Sequence, residues 1–381
     1  MARYSASHIS GNITEADYGF MAAAIAMGYR NLGLARPNPS VGAVIVTQTA
    51  EGPVIVSQGV TAAGGRPHAE RQALDIAGER ARGATLYVTL EPCSHIGRDT
   101  PCADAIVASG IKRVVAGILD PDTRVAGHGF ERLRQAGIEV VTGVLADEAA
   151  KLHRGHLTRV LKHRPAITLK LARTQDGFAG SGTAERLMIT GELANSYTHM
   201  MRAHSDGILV GVNTVNADDP RLDVRLNGMA NRSPIRVVLD GQLRINPDSY
   251  LVKTASHLPT WIVSAEGPGT SKHDVLCRCG CEVITVGTGQ DGHLDLNEAM
   301  SHLADYGLST ILCEGGPTIA SALAENDLLD EIVLVTGSTV FGHEGLLAFQ
   351  PSLDAALASN FNLKNTIPAG LDVFAFYEKA Y

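Results

Sequence analysis

Short apolar runs alternate with segments of helical spacing along the first 150 residues. Four runs are rich in β-branched residues and predict buried strands, namely SVGAVIV, ATLYVTLEPC, IKRVVAGILD and IEVVTGV. The segments between them have the composition of helices, such as PHAERQALDIAGERA and GFERLRQAG. Strands that alternate with helices are typical of a largely parallel sheet covered by helices. The pattern predicts an α/β sandwich over residues 14–150.

A polar and basic segment, LADEAAKLHRGHLTRVLKHRP, follows this block and ends at Pro165. Such a segment is typical of a connector between domains, so we assign residues 151–164 to a connector and its histidines to a solvated helix face. A second series of buried strands then begins at AITLKLA and includes HSDGILVG, IRVVLD, TWIVSA, CEVITVG, LSTILCEGG and DEIVLVTG. This series predicts a second α/β domain over residues 165–381.

Composition narrows the class of protein. A chain of 381 residues is too long for one ordinary core, which agrees with two domains. The net charge of −8 argues against a nucleic-acid partner. The start, MARYSASHISGNITE, has no apolar signal core, and no apolar run is long enough to cross a membrane. Six cysteines in such a chain favour metal or thiol chemistry over disulfides, so we expect a cytoplasmic enzyme acting on small molecules.

Three residues have the types and positions of zinc ligands. His68 opens a helix just after Pro67, Cys93 follows a strand, and Cys102 begins a helix whose N-terminus favours a thiolate. Three protein ligands leave one position of a Zn²⁺ ion open for a water molecule. Glu70 lies two residues after His68, where an acid can carry protons. His-x-Glu followed by Pro-Cys and a second cysteine is the zinc deaminase signature.

The spacing leaves alternatives open. Eight residues separate the two cysteines, whereas the common deaminase form has two. A structural zinc site with His95 as a fourth ligand, or two buried free thiols, would fit the same residues. A second group of cysteines in CRCGC, preceded by His273, is a weaker metal candidate.

Several motifs of the chain resemble those of the bacterial bifunctional riboflavin-biosynthesis deaminase/reductase family. EPCSHIGRDTPCADAI resembles the family's cysteine loop, which accounts for the long spacing, and RPNPSVGAVIV, PHAE and DPDTRVAGHG resemble its other deaminase motifs. In the second half LKLARTQDG, VGVNTVNADDPRLDVR, IRVVLD and EGGPTIASAL resemble the reductase domain. The resemblance spans nearly the whole chain. It implies a cytidine-deaminase-like α/β/α sandwich followed by a dihydrofolate-reductase-like α/β domain.

The resemblance implies two consecutive reactions on pyrimidine ribosyl phosphates. Zinc-bound hydroxide would deaminate 2,5-diamino-6-(5-phosphoribosylamino)pyrimidin-4(3H)-one, with Glu70 as the proton carrier. NADPH would then reduce the ribosyl group of 5-amino-6-(5-phosphoribosylamino)uracil to ribityl. By the same resemblance Asn38, Arg98 and Asp120 hold the pyrimidine or its phosphate. The chain departs from the family in this wall at Asp122 and at Asp99-Thr100.

Two glycine-containing stretches compete for the nicotinamide cofactor. VITVGTGQDG contains G-x-G-x-x-G after a strand, but Asp295 and Glu298 look like a capping box that starts the helix later. CEGGPTIASAL combines a strand end, two glycines and a helix N-terminus, which suits a phosphate. The resemblance places NADPH at this second stretch, on Gly315 and on the residues Ala172, Met188, Thr214, Asp218, Gly316, Pro317, Thr318 and Ile319.

The resemblance assigns the reductase substrate to a separate set of residues, namely Arg186, Arg202, Leu222, Arg225 and Glu314. Arg202 and Arg225 suit the substrate's phosphate, since a guanidinium binds phosphate at two points. The chain departs from the family at GTAERLMITG, where Arg186 and Met188 replace the usual serine and tryptophan. An alternative is therefore a zinc deaminase with an inactive or redirected reductase domain. The resemblance also implies a homo-oligomer, a dimer or a tetramer.

Overall fold

The computed structural model describes residues 10–95, 100–181, 188–267 and 269–380. The chain forms two compact units, the first ending at His163 and the second covering Arg164–Ala380.

The first unit contains one five-stranded sheet. Its strands are β1 (Gly42–Thr49), β2 (Gly52–Val60), β3 (Thr85–Leu90), β4 (Arg113–Ile118) and β5 (Glu139–Thr142). They lie in the order β2-β1-β3-β4-β5, with β3, β4 and β5 parallel and β1 antiparallel to both of its neighbours. The predicted parallel arrangement is therefore correct for only half of the sheet. β2, an edge strand with partly exposed side chains, was not predicted.

Helices cover both faces of this sheet. They are α1 (Glu15–Tyr29), α2 (Ala69–Ala77), α3 (Cys102–Ser109), α4 (His128–Gln135), α5 (Ala146–Leu152) and α6 (Arg154–Lys162). Helix and strand side chains meet in one core, whose largest members include Met21, Ile45, Leu86, Ile106 and Leu133.

The segment expected to connect the domains belongs to the first unit. Leu152 and Leu157 are buried in its core and hold α5 and α6 against the sheet. His153 lies between these helices and is buried, with Nε2 2.9 Å from Thr89 Oγ1. The Nε2 atom of His156 lies 3.0 Å from Asp120 Oδ1. The predicted solvated face is wrong for both histidines, because the two leucines turn that side of the segment inward.

The second unit contains a nine-stranded sheet in the order β11-β10-β9-β8-β12-β6-β13-β16-β15 and a small two-stranded sheet of β7 and β14. The strands are β6 (Ala166–Arg173), β7 (Phe178–Gly180), β8 (Gly207–Gly211), β9 (Ile235–Leu239), β10 (Thr260–Ser264), β11 (Glu282–Thr285), β12 (Thr310–Cys313), β13 (Glu331–Thr336), β14 (Leu346–Leu347), β15 (Phe361–Ala369) and β16 (Asp372–Lys379). Seven neighbouring strands of the large sheet are mutually parallel, and each corresponds to a predicted strand. They are β11, β10, β9, β8, β12, β6 and β13. The antiparallel hairpin of β15 and β16 was not predicted.

Helices lie between most of the strands of the second unit. They are α7 (Glu192–Ala203), α8 (Val212–Asp218), α9 (Tyr250–Lys253), α10 (Ser271–Arg278), α11 (Leu296–Asp305), α12 (Pro317–Glu325) and α13 (Pro351–Asn360). Because the central strands are parallel, the residues after β6, β8, β9 and β12 lie at one edge of the sheet. Within the ranges that the structure describes, no helix is long and apolar enough to cross a membrane.

Gly42 shows how closely α1 lies on β1. A Cβ atom at Gly42 would stand 1.9 Å from the carbonyl oxygen of Ala24, a backbone atom that cannot move aside. We expect Gly42→Ala to destabilise the first unit by about 1–3 kcal/mol, because overpacking forces the helix away from the sheet. Gly19→Ala is the matched control on α1, since nothing lies within 4 Å of its added Cβ. We expect this control to be neutral or to stabilise by about 0.5–1 kcal/mol in denaturant unfolding. Equal effects of both changes would contradict this account of the packing.

Candidate active sites

The three predicted zinc ligands meet in the first unit. His68 is the N-cap residue of α2, Cys93 follows β3, and Cys102 is the first residue of α3. His68 Nδ1 lies 3.6 Å from Cys93 Sγ and 3.4 Å from Cys102 Sγ. The three candidate ligand atoms all lie within 4.8 Å of one another, which fits a single metal ion.

The electrostatics of this cluster favour a bound cation. The hydrogen bond between the two thiols lowers the pKa of Cys93 to about 4 and raises that of Cys102. The backbone N–H of Cys102, at the start of α3, also donates to Cys93 Sγ over 3.4 Å. Cys93 is therefore the first of the two thiols to ionise, and a thiolate is the form that binds Zn²⁺.

Glu70 lies beside the cluster without belonging to it. It occupies the first turn of α2 and is 3% exposed. Burial raises the pKa of its carboxyl to about 7. His95, the alternative fourth ligand, is exposed and does not belong to the ligand group found among the described residues. Three ligands and a buried acid are the set that a catalytic zinc site requires.

The predicted pyrimidine contacts lie on two loops next to the cluster. Asn38 donates from Nδ2 to the carbonyl of Gly65 over 2.9 Å, and the same nitrogen lies 3.5 Å from His68 Nε2. Asp120 follows β4, is 7% exposed, and accepts the N–H of Asp122 over 2.9 Å. The predicted Arg98 lies outside the described residues.

Glu91 was missed by the sequence analysis. It is 3% exposed, and its carboxylate accepts backbone N–H groups from four residues, namely Asp120, Gly127, Gly129 and Phe130. These bonds fix the loop after β4 to the end of β3, beside Cys93. An acidic residue directly after a buried strand was the available signal, because a buried carboxylate needs donors.

An open cleft of about 2130 Å³ lies at the carboxyl edge of the second sheet. It is lined by most of the residues predicted for cofactor and substrate, namely Ala172, Arg202, Thr214, Asp218, Leu222, Arg225, Glu314, Gly315, Gly316, Pro317, Thr318 and Ile319. Gly316 is the N-cap residue of α12 and Pro317 is its first residue. The structure therefore brings the EGGPT segment and the start of α8 to the same cleft.

A smaller cavity of about 400 Å³ shares part of this lining. Its shared residues are Lys170, Ala172, Arg202, Arg225 and Glu314. Met188, predicted beside the cofactor, lines the smaller cavity and not the large cleft, and it is 65% exposed. Arg186 lies outside the described residues.

The two predicted phosphate-binding arginines differ in their surroundings. Arg202 forms two hydrogen bonds with the Glu314 carboxylate, of 2.6 Å from Nε and 2.8 Å from Nη2. Arg225 pairs with Asp223, and its side chain is 45% exposed. Arg202 is therefore occupied by a buried carboxylate, which disfavours a phosphate beside it. Arg225 is the better placed of the two for an anionic ligand.

Lys170 is a second residue that the sequence analysis missed. It lies on β6 between the buried Leu169 and Leu171 and lines both cavities. Burial lowers the pKa of its ammonium group, while the negative charge of Glu314 opposes this effect. A lysine inside the apolar run AITLKLA was the signal, since lysine is rarely buried unless it is paired.

The G-x-G-x-x-G stretch does not open a helix. Thr288 bridges Leu294 in a short antiparallel turn, and α11 begins after Asp295. The Asp295 side chain caps the helix by accepting the N–H groups of Asn297 and Glu298. The prediction of a late, capped helix is confirmed, and the Rossmann alternative is excluded for this stretch.

Comparison with known proteins assigns each unit to a domain family. The model of the RibD C-terminal domain matches residues 165–373, and that of the cytidine and deoxycytidylate deaminase zinc-binding region matches residues 14–118. The riboflavin biosynthesis protein RibD of Aquifex aeolicus is 39% identical over 88% of this chain and 90% of its own. The Escherichia coli RibD protein is 38% identical over 94% of this chain and 98% of its own.

Solved structures give the same result over both units. An Acinetobacter baumannii RibD structure has a TM-score of 0.84 at 32% identity, covering 96% of this chain and 99% of its own. A Thermotoga maritima structure, described as a diaminohydroxyphosphoribosylaminopyrimidine deaminase/5-amino-6-(5-phosphoribosylamino)uracil reductase, has a TM-score of 0.81 at 30% identity over 96% and 99% of the two chains.

Fold, metal-ligand cluster and comparisons together define the class, an enzyme that joins a zinc-binding deaminase domain to a reductase domain. The chain belongs to the RibD family, the bifunctional deaminases and reductases of riboflavin biosynthesis. The predicted family, fold class and pair of activities are confirmed, as are Zn²⁺ for the first domain and NADPH for the second.

The geometry of the cluster predicts which changes release zinc. We expect Cys93→Ser and Cys102→Ser to lower the zinc content of the purified protein at least about tenfold, because each removes one of three ligands. His95→Ala is the control and is expected to keep full zinc content. Metal analysis after dialysis against a weak chelator measures this. Zinc loss in His95→Ala equal to that in the serine variants would contradict the three-ligand site.

Proposed function

We propose that the first unit deaminates 2,5-diamino-6-(5-phosphoribosylamino)pyrimidin-4(3H)-one and that the second reduces the product, 5-amino-6-(5-phosphoribosylamino)uracil, to its ribityl form. The observation that carries the first step is the buried Glu70 beside three converging ligands. Support for this substrate comes from the Thermotoga maritima relative, which is named for these two reactions. The second step is supported by a large cleft with a helix N-terminus at its edge.

In the deaminase step, His68, Cys93 and Cys102 would hold Zn²⁺. When bound there, the ion activates water and stabilises developing negative charge. Glu70 accepts a proton from the attacking water and delivers one to the leaving amino group, which departs as ammonia. Its buried position suits both transfers, because a carboxyl with a pKa of about 7 can hold or release a proton near neutral pH.

The pyrimidine is oriented in this proposal by two side chains. Asn38 offers its amide beside His68, and Asp120 offers a carboxylate from the loop that Glu91 fixes. A carboxylate is a suitable acceptor for the amino and ring N–H groups of a diaminopyrimidinone. By family resemblance, Arg98 completes this wall toward the ribosyl phosphate.

In the reductase step, NADPH would supply a hydride to C1 of the opened ribosyl group when bound in the large cleft. We place the cofactor along Ala172, Thr214, Asp218 and the Gly315–Ile319 segment, where the N-terminus of α12 suits a phosphate. The substrate lies in the smaller cavity, against Arg202, Arg225 and Glu314, while Leu222 lines the adjoining cleft. Met188, predicted beside the cofactor, also lines the smaller cavity. By family resemblance, Arg186 belongs to the substrate contacts. Lys170 faces the space shared by both cavities. It donates a proton to the nitrogen bonded to C1, which balances the hydride added at C1 of the opened imine.

The remaining assignments also rest on the family. We propose a deaminase domain over residues 14–150 and a reductase domain over 165–381, with α6 attached to the former. We further propose a cytoplasmic homo-oligomer, either a dimer or a tetramer, which size-exclusion chromatography with light scattering would distinguish.

Replacing Glu70 by Gln tests the proposed proton carrier. We expect Glu70→Gln to keep its zinc and to lose ammonia release by a factor of about 10²–10⁴, because the amide cannot carry the proton. NADPH oxidation should disappear with the diamino substrate and return when the deaminated intermediate is supplied. Ammonia release at the wild-type rate would overturn the role of Glu70. Absence of NADPH oxidation from the wild-type protein with either compound would overturn the proposed reductase.

Replacing Lys170 tests the reductase acid. We expect Lys170→Met to lower kcat for NADPH oxidation by about 10²–10⁴-fold with the deaminated intermediate, while ammonia release is unchanged. Lys170→Arg should be equally slow, because a guanidinium keeps its proton. Lys364→Met, on the exposed β15, is the control. Recovery of activity in Lys170→Arg would show that the residue contributes charge and not a proton.

A further inference from the structure

α6 directs two polar side chains at the loops of the deaminase site. His156 and Arg159 are three residues apart and share one face of this helix. His156 Nε2 lies 3.0 Å from Asp120 Oδ1, and the two side chains are only 14% and 11% exposed. Arg159 donates from Nη1 to the carbonyl of Pro37 over 2.7 Å. One helix face thus contacts both loops that carry proposed pyrimidine contacts.

The two carboxylate oxygens of Asp120 differ in their hydrogen-bond partners. Oδ1 accepts the N–H of Asp122 over 2.9 Å and lies 3.0 Å from the imidazole of His156. Oδ2 has no hydrogen-bond partner among the residues that the structure describes. A carboxylate held through one oxygen keeps its orientation, so the other oxygen can accept hydrogen bonds from a ligand without first losing rotational freedom.

The contact with Pro37 acts on the opposite loop. Pro37 directly precedes Asn38, whose amide lies 3.5 Å from His68 Nε2. A bond from Arg159 to the Pro37 carbonyl fixes the backbone at the position from which the Asn38 side chain extends. The two loops are therefore tied to the same helix, and their separation is set by its rigid backbone.

The start of α6 is itself fixed to the sheet. His153, the residue before α6, is 1% exposed, and its Nε2 lies 2.9 Å from Thr89 Oγ1 on β3. The same hydroxyl oxygen accepts the N–H of Gly42 on β1 over 3.1 Å. Burial lowers the pKa of His153 to about 3, so this histidine stays neutral. A helix anchored on two strands can hold the loops at a defined distance.

We infer that His156 and Arg159 are positioning residues of the deaminase. They orient Asp120 and Asn38 for the pyrimidine and thereby set its affinity. The inference rests on the proposed roles of these two residues in binding the diaminopyrimidinone. α6, which its sequence assigned to a connector between domains, then positions substrate-binding residues of the first active site.

The test measures KM and kcat for ammonia release in the full-length, zinc-loaded protein. We expect His156→Phe to raise KM at least about tenfold with a smaller change in kcat, because a hydrogen bond to a charged group is lost. His156→Gln should restore most of the affinity, since its amide can reach Asp120, whereas the shorter His156→Asn should not. Arg159→Met should also raise KM.

Controls separate positioning from folding. Leu161→Gln, a change at an exposed position of α6, should leave KM unchanged. Zinc content, and NADPH oxidation with the deaminated intermediate, should stay at wild-type values in every variant. If His156→Phe fails these folding controls, the comparison of Gln with Asn carries the test. A wild-type KM in both His156→Gln and His156→Asn would overturn the inference.

A double-mutant cycle with Asp120→Asn distinguishes the inference from the function on which it rests. Non-additive effects of Asp120→Asn and His156→Phe on kcat/KM would support the inference, because both changes then break one coupled unit. A raised KM in Asp120→Asn together with a wild-type KM in His156→Phe would overturn the inference and leave the proposed contact standing. An unchanged KM in Asp120→Asn would overturn the contact and the inference together.

Discussion

Parallel strands end at a common edge of their sheet, and both sites of this protein depend on that constraint. In the first unit, β3 and β4 are parallel neighbours, so Cys93 after one strand and Asp120 after the other share one edge. In the second unit, Glu314 follows β12 and Thr214 lies just after β8, at the edge where the cleft opens. Helix N-termini reach the same edges, because each helix begins where a strand has ended.

The buried ionisable residues at these edges differ in their hydrogen-bond partners. Glu91 and Glu314 both have hydrogen-bond donors, four backbone N–H groups for the first and the guanidinium of Arg202 for the second. Burial raises the pKa of Glu70 to about 7 and lowers the pKa of the half-buried Lys170, and it also raises the pKa of Glu91. Uncompensated burial of a charge costs free energy. In the proposed function Glu70 and Lys170 transfer protons, Glu91 holds the loop of Asp120, and Glu314 lies against the substrate.

The α5–α6 segment shows that tertiary contacts can bury side chains that the sequence pattern predicts to be solvated. KLHRGHLTRVLKH is basic and polar, which suggested a solvated connector. Two leucines nevertheless dock the segment on the core, and His153 and His156 then face inward to Thr89 and Asp120. No local pattern distinguishes a histidine that faces water from one that meets a carboxylate far away in the chain.

Local chemistry in the sequence determined the metal site, the parallel strands and the late, capped helix after the glycine stretch. The strands and the capped helix depend on β-branched runs and capping residues that are visible within a few positions. The metal site depends on the residue types at His68, Cys93 and Cys102, which match the deaminase signature. The tertiary structure alone decided that Arg202 is paired with Glu314, that Glu91 holds the loop of Asp120, and that an edge hairpin completes each sheet. The first two contacts join residues that are far apart in the sequence, and each hairpin joins its sheet through one strand, β1 on β3 and β16 on β13. Only the packing of the folded chain sets such distances.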